Sequence, residues 1–157
     1  MYIQSRSYRA PEIILGTAFD ERIDIWSVGC ITAELFTHSL LFNNASVGAL
    51  LTSVSSLLGP IPEHLLKLAD IAPYRQNGKV LVNLKKGGIW ELDPPYRLLE
   101  DQLGTDDADF VDFIRKLLQW DPTQRLTASQ ALEHPFIKRY NHCEDYEGNL
   151  SVIEQTI

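Results

Sequence analysis

Residues 23–36, IDIWSVGCITAELF, are apolar on nearly every side of a 3.6-residue wheel. That pattern predicts a helix buried all round. In the next stretch, SVGALLTSVSSLLG at 46–59, Val47, Leu50, Leu51, Val54, Leu57 and Leu58 fall on one stripe. A surface helix with one packed face follows, with Ser46 placed to cap its start and Gly59 its end. PIPEHLLKL predicts a short helix launched from Pro62. From Asp70 to Leu103 the periodicity fails, except in QNGKVLVNL, where Asn77-Gly78 predicts a tight turn beside a short strand. With Gly87-Gly88 and Pro94-Pro95, the stretch reads as an irregular insert. Regular pattern resumes in DDADFVDFIRKLL, where Phe110, Phe113, Ile114, Leu117 and Leu118 share a helical face behind an acidic first turn that suits the helix dipole. It stops at Asp121-Pro122. Thr127 and Gln130 have the spacing of a capping box that opens the last helix, which His134-Pro135 ends. From His142 onward a polar, acidic tail is expected to be loosely held. The expected fold is mainly α, a central helix with others around it, preceded by a loop.

Composition narrows the partners. The chain has 157 residues, 45% of them apolar, enough for one globular domain or a large piece of one. Fourteen basic against twenty-one acidic residues give a net charge of -7, which disfavours phosphate backbones and anionic lipid, so neither nucleic acid nor a membrane is expected as a partner. Cys30 and Cys143 match no metal or redox spacing and suit a reducing compartment, Cys30 as a packing residue. The first residues lack a charged segment followed by an apolar stretch, so no secretory leader is expected, and no apolar run approaches the roughly 18 residues of a membrane span. An intracellular protein, of cytoplasm or nucleus, is the expectation.

Four short motifs occur in order: RAPE at 9–12, DIWSVG at 24–29, DPTQR at 121–125 and HPF at 134–136. Singly each is weak. The ordered series resembles the C-terminal, helical lobe of eukaryotic protein kinases, from inside the activation segment to the last helix. YIQSRSYRAPEIILG at 2–16 narrows the resemblance to the dual-specificity tyrosine-regulated kinases (DYRK) of the CMGC group. The resemblance covers residues 2–140 and implies a partial kinase domain at 1–141, a CMGC-type insert at about 60–105 and a separate acidic tail at 142–157.

It also assigns roles. Tyr2 is implied as the activation-loop phosphosite, with Arg6 and Arg9 receiving the phosphate. A phosphotyrosine carries about -1.5 to -2 charges and three acceptor oxygens, and two guanidiniums on an extended loop can converge on it; the alternative is an exposed tyrosine beside solvated arginines. Ser5 is implied as a partner of the catalytic aspartate, and Ser5 and Arg6 as part of the floor under the substrate, against an ordinary turn hydroxyl. Glu12 and Arg125 are implied as a buried ion pair, against unrelated surface charges. Asp24 is implied to support the catalytic loop, against simple helix capping. Trp26 and Gly29 fit the same helix as an aromatic anchor and a close-packing point. Trp120 and Phe136 read as core, and His134 as a helix terminator.

Phosphoryl transfer needs a phosphate cradle, a lysine on the phosphates, magnesium ligands and a catalytic-loop aspartate. The sequence contains no G-x-G-x-x-G, no V-A-I-K-like lysine and no His-Arg-Asp. Asp109-Phe110 and Asp112-Phe113 are followed by Val and Ile instead of Gly and lie in an amphipathic helix. No catalytic residue and no metal ligand is therefore expected in this chain, and ATP and Mg2+ are implied by the family alone. The favoured expectation is part of a DYRK-like serine/threonine and tyrosine kinase acting on protein substrates, with the N-terminal lobe and catalytic loop missing. The alternative is a stand-alone, non-catalytic lobe that binds substrates or regulators.

Overall fold

A buried meeting of two helices organises the chain. The computed structural model describes residues 3–42, 45–69, 73–77, 79–84, 88–92 and 94–139; Tyr2, Cys143 and the tail at 142–157 lie outside them. A 3-10 turn, Arg6–Tyr8, leads into α1, Pro11–Leu15, which starts with proline in its first turn and stops at Gly16 in the left-handed region, φ 71°. Next comes α2, Arg22–Thr37. Trp26, Cys30 and Ala33 on its inner face are buried, and Trp26 stacks on Phe42 with centroids 5.6 Å apart. Gly29 lets α6, Ala108–Leu117, come close: a Cβ there would stand 2.8 Å from Leu118.

The expectation that α2 is hidden on every side is overturned. Val28, Ile31 and Leu35 are 46%, 42% and 72% exposed and, with exposed Asp24, run down one outward face at helical spacing. An apolar pattern reports which residues avoid water, not whether the chain supplies a neighbour for them.

The opposite correction applies to α3, Val47–Leu58, which is no surface helix: Gly48, Ser53, Ser55 and Ser56 are buried along with Leu50, Leu51, Val54 and Leu57. Its predicted ends hold, Ser46 accepting the Ala49 N–H at 3.0 Å and Gly59 closing the helix at φ 80°. The small side chains on the polar-looking face let neighbours close over it. The Trp90 ring lies where a Cβ on Gly48 would be, 2.2 Å away, and Thr52 Oγ1 donates to the Glu91 carbonyl at 2.8 Å. Arg97 donates from Nε and Nη2 to Ser56 Oγ, and its backbone N–H donates to the Ser56 carbonyl at 2.7 Å.

Those neighbours belong to the stretch expected to be irregular. After α4, Glu63–Leu68, come three antiparallel strands in sequential order: β1, Pro73–Gln76; β2, Lys79–Leu84; and β3, Gly88–Glu91. Gln76 pairs with Lys79 beside Asn77, which is left-handed at φ 51°, and Leu84 of β2 pairs with Gly88 of β3. The alternation was visible in one strand only because the outer two have four residues each, too few for a period to register. A further short helix, α5, Leu99–Leu103, follows.

Asp107 caps α6 by accepting the Phe110 N–H, and Phe110, Phe113, Ile114, Leu117 and Leu118 are all buried. Thr127 and Gln130 form the predicted capping box on α7, Ala128–Leu132. α7 stops at Leu132, just before His134-Pro135 as expected, but it is not the last helix: the same pair starts another, α8, Pro135–Lys138. His134 Nδ1 accepts the Phe136 N–H at 3.3 Å, so Nε2 carries the proton and donates to Asp112 Oδ2 at 3.1 Å. Phe136 is half-buried, with its ring against Phe110 and Phe113.

Two outcomes are expected. Gly48→Val should cost about 1–3 kcal/mol in urea unfolding, since the β-carbon collides with Trp90, and most of that loss should vanish in a Trp90→Ala background. The Asp112 carboxyl is held below the ordinary carboxylate range, first by the hydrogen bond from Lys116 and also by that from His134, partly opposed by desolvation. A lowered folded pKa contributes stability that is complete above the unfolded value of about 3.9 and is lost as pH falls through the folded value. Urea midpoints should therefore fall less steeply on acidification in Asp112→Asn than in the parent.

Candidate functional site

Arg125 is fully buried, and only strong partners make that tolerable. Its Nη1 donates to Glu12 Oε1 at 2.8 Å and its Nη2 to Glu12 Oε2 at 3.0 Å, a two-pronged fork on a carboxylate that is itself 2% exposed. Nη1 also donates to the Arg22 carbonyl at 2.6 Å, and Nη2 to the Gln119 carbonyl at 2.9 Å. The guanidinium lies 5.3 Å from the Trp26 ring centroid. One side chain thus joins α1, the head of α2, the end of α6 and the DPTQR turn.

The segment before α1 is held by a different set of bonds. Gln4, a non-glycine residue at φ 58°, donates from Nε2 to the Ile23 carbonyl at 2.9 Å and to Ser27 Oγ at 2.8 Å, while its Oε1 accepts the Ala10 N–H at 2.9 Å. Ser27 Oγ donates onward to the Tyr8 carbonyl at 2.9 Å. Arg9 reaches back, Nε to the Ile3 carbonyl at 3.1 Å and Nη2 to the Gln4 carbonyl at 2.8 Å. Tyr8 donates its hydroxyl to Glu34 Oε2 at 2.8 Å, and that bond, with burial behind it, pushes the phenol pKa up.

Ser5 is exposed and precedes the 3-10 turn without a side-chain cap bond. Arg6 is exposed and donates to the Ala45 carbonyl at 3.3 Å, across to the loop that leads into α3. Arg9 faces the residues that directly follow Tyr2, which itself lies outside the described residues. Asp24 stands in the first turn of α2, exposed; the N-cap is Glu21, and neither side chain caps the helix. Trp120 is buried and donates its indole N–H to the Gly59 carbonyl at 3.1 Å. Burial pushes the Cys30 thiol pKa far above its ordinary value, so it stays a packing group.

No motif rule pointed to Gln4, which reaches Ile23 19 residues away, or to Arg97, which reaches Ser56 41 residues away. Among the described residues no group of three or more His, Cys, Asp or Glu side chains could hold a metal, and no helix is long and apolar enough to cross a membrane.

The ordered linkage of RAPE to DPTQR through a buried ion pair coincides with a family match. The protein kinase domain model matches residues 1–137. The chain belongs to the protein kinase family. Within that family it is DYRK-like: it is 40% identical over 160 residues to dual specificity tyrosine-phosphorylation-regulated kinase 3 of Rattus norvegicus, covering 88% of this chain and 27% of that protein. It is 42% identical over 138 residues to serine/threonine-protein kinase ppk5 of Schizosaccharomyces pombe, covering 87% of this chain and 16% of that one. Among solved structures, a MAP kinase from Leishmania major superposes with a TM-score of 0.67 at 27% identity, covering 87% of this chain and 38% of that chain. This kinase-family chain thus spans about a quarter, 27%, of the rat relative's length. Protein kinases as a family use ATP and Mg2+ and act on protein substrates.

Replacing Glu12 by Ala in this kinase-family chain should leave Arg125 charged, buried and unmatched, at a cost of about 3–5 kcal/mol in urea unfolding. The apolar double replacement Glu12→Leu with Arg125→Met should recover most of that loss. A Glu12→Ala variant within about 0.5 kcal/mol of the parent would show the pair to be dispensable.

Proposed function

We propose that the chain is the activation-segment and helical-lobe part of an enzyme that transfers the γ-phosphoryl group of ATP to serine, threonine and, on itself, tyrosine hydroxyls of proteins. The observation that carries the reading is the Arg125 fork on Glu12, which ties the segment bearing the candidate substrate floor to the helical body. In this reading residues 1–141 are a partial kinase domain and 142–157 a tail beyond it. Ser5 and Arg6 belong to the floor under the substrate residue that follows the phosphoacceptor. Tyr2 is the self-modified residue, and Arg6 and Arg9, which lie close in sequence to it, supply cations for its phosphate. Asp24 supports the catalytic loop from below; its exposure at the head of α2 leaves it available for that contact. The nucleotide and magnesium ligands belong to parts of the enzyme outside this sequence, and no step of the transfer is assigned to a residue of this chain. The place of action is the cytoplasm or nucleus, which the free thiol of buried Cys30 supports.

The test has two arms. A complete protein containing this segment should transfer labelled phosphate from ATP to a protein substrate, with phosphoserine or phosphothreonine as product. Calorimetric titration of the present chain with Mg-ATP should give no saturable heat. Saturable binding to the chain, or a complete protein that transfers nothing, overturns the proposal, and the second outcome favours a non-catalytic binding lobe.

A further inference from the structure

The turn at Gln4 is an unusual place for a long side chain. At φ 58° an L-residue is strained, and glycine or asparagine is the ordinary occupant. What holds Gln4 there is a closed hydrogen-bonded circuit: Gln4 Nε2 to Ser27 Oγ, Ser27 Oγ to the Tyr8 carbonyl, and the Ala10 N–H back to Gln4 Oε1. A second donor bond, to the Ile23 carbonyl, fixes the circuit to the first turn of α2. The amide orientation is settled by these partners, since its nitrogen meets two acceptors and its oxygen meets a donor. The left-handed turn also aims the Gln4 carbonyl at Arg9 Nη2, 2.8 Å away. Residues 4, 8, 9 and 10 are thus bound to each other and to α2 through the Gln4 amide, the Ser27 hydroxyl and the Arg9 guanidinium.

We propose that Gln4 is the positioning residue of the candidate substrate floor: its amide locks residues 4–10 onto the head of α2, so the floor is formed before any phosphate is placed on Tyr2. The phosphate then adds to a segment that is already ordered. That these residues are a substrate floor rests on the kinase reading above; that Gln4 orders them does not.

Hydrogen exchange on this chain separates the two. The reporters are the amides of Tyr8 and Arg9, which donate to the Ser5 and Arg6 carbonyls and not to Gln4. In Gln4→Met, which keeps the length and loses the amide, both should exchange about tenfold faster than in the parent, the loss expected for one to three net hydrogen bonds. Gln4→Gly should behave the same way, although glycine relieves the backbone strain. Amides of Ile114 and Leu117 should be unchanged; a variant that also loses these has unfolded, and Ser27→Ala, which removes one hydroxyl from the circuit, then serves, with a smaller acceleration at Tyr8 and Arg9. Semisynthetic phosphorylation of Tyr2 should alter the two reporters by less than about twofold. Parent-like exchange in Gln4→Gly, or protection that arises only with the phosphate, overturns the proposal.

In a complete kinase, Gln4→Met should raise the KM for a peptide substrate about fivefold or more while the KM for ATP stays put, whereas a general structural defect would disturb both. A complete wild-type protein that transfers no phosphate defeats the kinase reading and leaves the exchange result to decide the role of Gln4.

Discussion

The fold depends on one cation kept out of water. Arg125 is buried, and taking a guanidinium from solvent costs several kcal/mol before any partner is counted. The chain offsets this with a carboxylate that meets it in a fork, two main-chain carbonyls and an aromatic face. Because those partners come from α1, α2 and the turn after α6, none of these elements can shift without stranding the charge. The pair stabilises little by itself. A packing that kept both residues buried but parted them would leave two unmatched charges.

Around that pin the burial of the two long helices is exchanged relative to their sequence patterns. The Val28, Ile31 and Leu35 stripe of α2 faces outward, while the serine-rich side of α3 is covered by β3 and Arg97. The cause is steric. Glycine and serine permit close approach of a tryptophan ring and a guanidinium, and the hydroxyls then serve as acceptors and donors for what approaches. A polar face of small residues is as good a docking surface as an apolar one when the partner brings its own hydrogen bonds.

The segment before α1 follows the same economy of means. Gln4 and Arg9 satisfy main-chain groups of a segment that has only one short 3-10 turn among its described residues, and Ser27 on α2 links Gln4 and the Tyr8 carbonyl to the body. Unpaired main-chain groups are costly once partly buried, so side chains take over the work that a strand or helix would do elsewhere. These bonds tie the loop to the head of α2 in one arrangement.

Local chemistry was legible in the chain itself. The caps Ser46 and Thr127, the stop at Gly59, the inward face of α6 and the ordered motifs from RAPE to HPF depend on residues a few positions apart, whose interactions are dictated by helical and turn geometry. Membership of a kinase-like helical lobe was legible for the same reason, because the motifs keep their order. What tertiary structure alone decided are the relations between distant residues: which face of α2 meets α6, that small serines are hidden, that two four-residue strands join a third, that His134 opens a helix, and that Gln4 reaches Ser27. These depend on what stands opposite a side chain once the chain has folded, and periodicity along the backbone carries no information about the partner across the gap.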